Sequence, residues 1–160
     1  MDVLIRAAVD SDSAPLMLAL SPEVDPHVIT NRFTELHAGL RLLLVLEADG
    51  AIAGTISMST NTDKDGVTRR LFALDVGREY LRRGFATQLI EEVESRVLSD
   101  DHSALRLEVS VDNHVAASLY KKLGYLPVGT PEKLQWSQPV DGLPSVTVTQ
   151  TSQRMVKRLD

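Results

Sequence analysis

The sequence predicts a mixed α/β (α+β) fold: antiparallel strands beside one parallel strand pair, with helices packed on the sheet. Three observations predict it. Residues 71–97 read as an apolar strand, a basic turn and an amphipathic helix. Two apolar runs, 40–47 and 51–58, are joined through Asp49-Gly50, the strongest short hairpin signal. A second alternating strand and a second helix follow the first pair, and strand-helix-strand order implies parallel strands with a right-handed crossover.

Length and composition set the bounds. At 160 residues the chain is expected to form a single domain, 1–160, able to bury a core without disulfides or metal. It contains no cysteine, which removes disulfides, thiolate metal sites and a covalent cysteine intermediate, and suits a reducing cytoplasm. Asp2, Arg6 and Asp10 interrupt the first apolar residues, so no signal peptide is expected, and no run is long enough to span a membrane. A net charge of -5 argues against a nucleic-acid surface.

In chain order, residues 3–8 form a first strand, and Ser11 or Ser13 caps a helix carrying Leu16 and Leu20. Asp25-Pro26 starts a second helix that ends at Gly39. The hairpin comes next, then a polar stretch whose Asp65-Gly66 turn leads into the central strand, 71–76. That strand is nearly unbroken in its apolar character, as expected where both faces are covered. Phe85, Ala86, Leu89, Ile90, Val93 and Val97 mark the inner face of the long helix. Residues 99–103 read as a loop, and Leu105, Leu107, Val109 and Val111 alternate along a strand. Asp112 or Asn113 caps a further helix that stops at Gly124. Residues 125–128 begin another strand, and 132–137 can pair with 145–157 across a turn with Asp141-Gly142 at its tip.

The basic turn carries the first functional signal. Arg82, Arg83, Gly84, Phe85, Ala86 and Thr87 place small residues and outward amides at a helix start, beside two guanidinium groups. Phosphate or pyrophosphate suits such a turn. Taken alone, the same residues also fit a tight strand-to-helix turn with solvated arginines.

The wider pattern resembles the GNAT superfamily of N-acetyltransferases. The family's acyl-CoA loop reads Gln/Arg-x-x-Gly-x-Gly/Ala after a central strand; Gly84 and Ala86 match it, and Leu81 departs from the expected Gln or Arg. A second signature, Asn-x-x-Ala-x-x-Leu-Tyr followed by Gly and an aromatic residue, is matched by Asn113, Ala116, Leu119, Tyr120, Gly124 and Tyr125. The resemblance is specific from 71 to 125. It implies a GNAT-like, mostly antiparallel sheet with a splayed parallel pair and helices on both faces. It also implies acetyl-CoA as co-substrate, no metal, and an arm of that co-substrate against Leu74, Asp75 and Val76, with an oxyanion met by a backbone N–H near Val76. Asn113 and Ala116 join the co-substrate contacts in this scheme.

Transfer from a thioester needs a neutral amine and a proton for the departing thiolate. A lysine-like amine with a pKa near 10.4 is free base in about one molecule in a few thousand at pH 7, so a base matters. By resemblance, Tyr120 holds the position of the proton donor. The family's early carboxylate position is occupied by Arg70, which cannot serve as a base. Glu108, within Leu107-Glu108-Val109, resembles the base of bacterial enzymes that acetylate a ribosomal-protein amino terminus; alternatively it pairs with Arg106 on the same face. Asp75, expected on the face opposite Leu74 and Val76, is a third candidate, and water a fourth.

The four histidines show no ligand spacing, and Trp136 either lines an acceptor site or packs the last strands, with packing favoured. The acceptor is a primary amine of a small molecule or a peptide, with walls from 21–39 and 128–145. Glu23, Asp25, Glu35, Glu132 and Asp141 in those walls lean towards a cationic acceptor. A non-catalytic acyl-CoA-binding regulatory module is the alternative. Oligomeric state stays open, a homodimer included.

Overall fold

The computed structural model describes residues 1–99, 104–140 and 142–159. The elements are β1 (Val3–Ala7), α1 (Ser13–Leu20), α2 (Pro26–His37), β2 (Arg41–Ala48), β3 (Ala51–Ser59), β4 (Thr68–Val76), α3 (Phe85–Ser99), β5 (Ala104–Ser110), α4 (His114–Lys122), β6 (Leu126–Val140) and β7 (Leu143–Arg158). They build one sheet in the order β1-β2-β3-β4-β5-β7-β6. Every neighbouring pair is antiparallel except β4 and β5. The predicted mixed class and the central place of the 71–76 strand are both found.

Helices cover the two faces unequally. α3 presses Leu89, Ile90, Val93 and Val97 onto Leu44, Ile56, Leu71, Leu105 and Leu107 in the larger apolar cluster. α1 and α2 build a smaller one from Leu16, Leu20, Ile29 and Phe33 around Leu43. Close approach of α3 depends on Gly54: a Cβ there would lie 3.0 Å from Asp75 O and 3.3 Å from Leu89 Cδ1.

Local chemistry explains most boundaries. Asp49 (φ 51°) and Gly50 (φ 82°) make the left-handed turn expected between β2 and β3. Asp25 Oδ1 accepts from the His27 N–H at 2.8 Å, with Pro26 in the first turn of α2. Of the two candidates for the α4 cap, Asn113 is used: its Oδ1 accepts from the Ala116 N–H at 3.1 Å.

Three expectations need correction. No serine caps α1; Asp10–Asp12 form a 3-10 turn, and Asp12 accepts from the Val9 N–H (2.8 Å) and from Arg6 (2.7 Å). The runs at 125–128 and 132–137 belong to one long strand, β6, broken in register between Val128 and Glu132, and Tyr125 lies before it as a buried core residue. The expected loop at 99–103 begins later, since α3 continues to Ser99; residues 100–103 lie outside the described residues, as does Asp141 of the predicted tip.

The central strand differs from a regular one. β4 starts at Thr68, and its register with β3 jumps from Ser57↔Phe72 to Thr55↔Asp75, with Ala73 at φ 54°. This is a bulge. The extra residue brings Leu71, Leu74 and Val76 to the same core although their spacing is not that of a regular strand. From Phe72 onwards the strand is only half-buried, because it has no partner on its β5 side: β4 and β5 pair at Thr68↔Ala104, Arg69↔Leu105 and Arg70↔Arg106, then part.

Candidate active site

The split between β4 and β5 is the centre of the candidate site. Gly77 gives its N–H to Ala53 O at 2.8 Å, on the β3 side. Because successive amides of a strand point to opposite edges, the Val76 N–H turns towards the split. Asp75 pairs back to α2 instead, with Oδ2 2.7 Å from Arg32 Nη2. Leu74 and Val76 pack on the core, so Asp75 lies on the face expected for it.

At the mouth of the split the basic turn enters α3. The first helical bond runs from the Gln88 N–H to Gly84 O at 3.1 Å, leaving the N–H groups of Phe85, Ala86 and Thr87 without helical acceptors. Left-handed backbone at Arg82 (φ 63°) and Gly84 (φ 80°) curls the chain just before them. Nothing lies within 4 Å of where a Gly84 Cβ would stand, so the positive φ rather than crowding is what calls for glycine there. Phe85 differs in kind from its neighbours: its side chain is core, 6.3 Å from the Tyr80 ring, and only its amide can meet a ligand. Arg83 lies 5.5 Å from the Tyr80 ring centre. Amides at a helix start flanked by two arginines fit a pyrophosphate.

α4 brings Tyr120 to the other side of the split. Its ring meets Tyr125 edge-on at 6.0 Å. Burial pushes the phenol's pKa up, and the Asp75 carboxylate adds to the shift, so the group holds its proton more firmly than a free tyrosine. Asn113 opens the same helix as its cap, and Ala116 packs on the core beneath Tyr120.

Beyond the bulge the split widens into a cleft of about 880 Å³ between α2, β4, β5 and the β6–β7 ribbon. Glu108 lies in its wall with a side chain only 12% exposed. Arg106 Nη1 donates to Oε1 at 2.5 Å and Arg70 Nε to Oε2 at 3.0 Å, while Arg154 Nη2 stands 3.5 Å from Oε1. The pair with Arg106 was foreseen; those with Arg70 and Arg154 were not. Burial works against charge on Arg106, but hydrogen bonds to Asp63 and attraction to Asp63 and Glu108 outweigh it and raise its pKa. Phe72 forms part of the wall, with the guanidinium carbons of Arg41 and Arg70 at 4.6 and 4.8 Å from its ring centre. Of the two places open to Trp136, the less favoured is found: it lines the cleft and is 39% exposed.

Three of the acidic wall residues are already partnered, and Asp141 lies outside the described residues. Glu23 pairs with Arg78, Asp25 caps α2, and Glu35 is held by Arg41 at 2.6 Å. Sequence counting found the carboxylates and missed that Glu23, Asp25 and Glu35 have partners from another element or their own helix.

A sheet that opens along one parallel seam, with an amide-rich turn at one end and a polar cleft at the other, is the architecture of an acyl-CoA-dependent transferase. Comparison with known proteins gives the same class. The family model "Acetyltransferase (GNAT) family" matches residues 9–125. An acetyltransferase of Yersinia pestis (strain Pestoides F) is 31% identical over 106 residues, covering 66% of this chain and 71% of the relative. Among solved structures, the ribosomal-protein-S18-alanine N-acetyltransferase of Escherichia coli superposes with a TM-score of 0.71 at 17% identity, over 99% of this chain and 94% of that one. The Salmonella typhimurium protein yncA, solved with its cofactor acetyl-CoA, gives 0.68 at 17% identity, over 100% and 95%. The chain belongs to the GNAT acetyltransferase family, whose members are acetyl-CoA-dependent N-acetyltransferases.

Proposed function

We propose that this protein moves an acetyl group from acetyl-CoA to a primary amine by direct transfer, with both substrates bound at once. The observation that carries the proposal is that β4 and β5 part after Arg70 and Arg106, which leaves the β4 edge from Leu74 to Val76 unpaired on its β5 side, in the chain between Ala73 of the cleft and the turn that opens α3. The pyrophosphate would take the amides of 82–87 with Arg82 and Arg83, and the arm would add to the β4 edge as an extra strand. Asn113 and Ala116 would border the arm from α4.

The reaction forms a C–N bond and breaks a C–S bond. The Val76 N–H, on the split side of β4, would donate to the carbonyl oxygen as it gains charge. Tyr120, kept protonated by burial and Asp75, would give its proton to the departing sulfur. The amine's proton would pass to Glu108, directly or through water, with Asp75 the second carboxylate within the split. Absence of cysteine leaves no thiol to carry the acetyl group on the enzyme. The same absence suits a cytoplasmic setting.

Calorimetric titration with acetyl-CoA, with dephospho-CoA and free pantetheine as comparisons, tests the proposal. Saturable binding that is lost when the pyrophosphate is removed supports it. No binding by folded protein refutes it, and refutes the non-catalytic acyl-CoA module as well.

A further inference from the structure

The cleft beside the split is cationic, in a chain whose net charge is -5. Arg32, Arg41, Arg70, Arg106 and Arg154 line it, against Glu35 and Glu108. Asp63 and Asp75 behind the wall raise the carboxylates to four, still one short of the arginines. The arginines also feel one another: burial first, and then repulsion from Arg32 and Arg70, lower the pKa of Arg41 despite its bond to Glu35. Proteins rarely gather guanidinium groups this closely without an anion to share.

Two features show where the anion belongs. Arg32 is only 7% exposed, yet its Nη1 has no hydrogen-bond partner among the described residues, and its contact with Asp75 lacks hydrogen-bond alignment. A buried donor left unpaired is costly, more so when charged, and a bound acceptor atom removes that cost. Arg70 and Arg154 are half-exposed, and both share Glu108 with Arg106, which is already doubly bonded to Asp63. Each therefore has donors left over.

We infer that the acceptor is a small amine that also carries an anionic group, a carboxylate or a phosphate, which the arginines of the cleft bind while the amine points into the split. This names the substrate class for the transferase proposed above and rests on it. It replaces the cationic acceptor towards which the acidic wall residues lean. A second consequence follows: an anion that draws Arg70 and Arg154 away leaves Glu108 with Arg106 alone, and an oxygen of the carboxylate becomes free to take the amine's proton. Binding of the right acceptor thus prepares the base.

The test follows thiol release from acetyl-CoA with matched amines that differ only in the anion: an L-amino acid panel against the corresponding amino-acid amides, phosphoethanolamine against ethanolamine, and spermidine as the cationic reference. The anionic member of at least one pair is expected to show a kcat/KM at least tenfold higher, and R70Q to raise that member's KM at least tenfold and to narrow the gap within the pair. The amino-acid and phosphate arms separate the two anions. Equal turnover within every pair, or preference for amides or spermidine, overturns the anionic acceptor and leaves the transferase standing. A second measurement omits acetyl-CoA: inorganic phosphate and N-acetyl amino acids are titrated while Tm is followed. Saturable stabilisation of the wild type, weakened in R70Q, supports the anion site even if no amine is acetylated, in which case it is the transferase proposal that fails. No stabilisation and no thiol release sink both. R32Q probes the buried donor, and the half-exposed R70Q keeps the test decisive if R32Q does not fold.

Discussion

Tyr120, the proposed proton donor, is surrounded by features that hold its proton. Burial and Asp75 both raise its pKa, so it remains a phenol at any working pH, and a departing thiolate is the base that would claim its proton. Tyr120→Phe should lower kcat by about a hundredfold, within the range for loss of a general acid, with acetyl-CoA affinity nearly unchanged. Stopped-flow turnover beside calorimetric binding separates the two, and unchanged turnover would remove Tyr120 from the role. Tyr125, only five residues on, does different work: its hydroxyl donates to Glu94 Oε2 at 2.9 Å inside the core. Tyr125→Phe should cost about 1–2 kcal/mol in urea unfolding, because it takes a hydrogen bond from a buried carboxylate that then has Lys157 alone. The turn at Gly84 and the placement of Asn113 and Tyr120 on one helix were legible in the sequence because each is a local pattern. The Arg70–Glu108 bond joins residues 38 apart in sequence, and the Arg32–Asp75 pair joins a helix to a strand edge. No spacing rule reports such contacts, which is why Glu108 looked like either a base or half of a simple ion pair.

The bulge in β4 sets the geometry of the split. Ala73 holds a left-handed backbone that costs an ordinary residue about 1–2 kcal/mol, and a β-branched side chain tolerates it less well. Ala73→Val should therefore lower stability by about that amount or more and weaken acetyl-CoA binding, since Leu74 to Val76 would be re-registered. Unfolding midpoint and calorimetry on the same variant check both effects. Leu89→Ala tests the opposite face: Leu89 is fully buried against Gly54, and the cavity should cost about 2–5 kcal/mol without changing the split. The hairpin turn, the α2 start and the α3 face could be read in advance because turn chemistry and helical spacing act locally. The bulge could not, since Leu71, Leu74 and Val76 are all apolar and give no period to break. The union of two short runs into β6 was hidden for a similar reason: Gly129 (φ 71°) reads as a stop but serves as an irregularity within a continuing strand.

At the scale of the molecule, the two raised phenols give a pH dependence with a definite sign. Folded Tyr120 and Tyr125 keep protons that the unfolded chain releases above about pH 10, so the stability they contribute is complete below that pH and falls as pH rises through the folded values. Asp12 works at the other end: its hydrogen bond from Arg6, aided by the Val9 N–H, lowers its pKa, so its contribution is present above about pH 4 and fades as pH falls through the folded value. Urea midpoints should be level from about pH 5 to 9 and decline on both sides, and Tyr125→Phe should flatten the alkaline decline. An acidic total charge says nothing of where the arginines gather. The sheet itself is stitched across its middle by three residue pairs, Thr68 to Arg70 with Ala104 to Arg106, where its other seams are longer. Mechanically it is two plates on a short hinge, and the slot proposed to receive acetyl-CoA is also the line along which the plates can part. A molecule lying in that slot supplies the missing stitches, so amide protons along β4 and β5 should exchange more slowly in the loaded protein, far beyond the residues it touches.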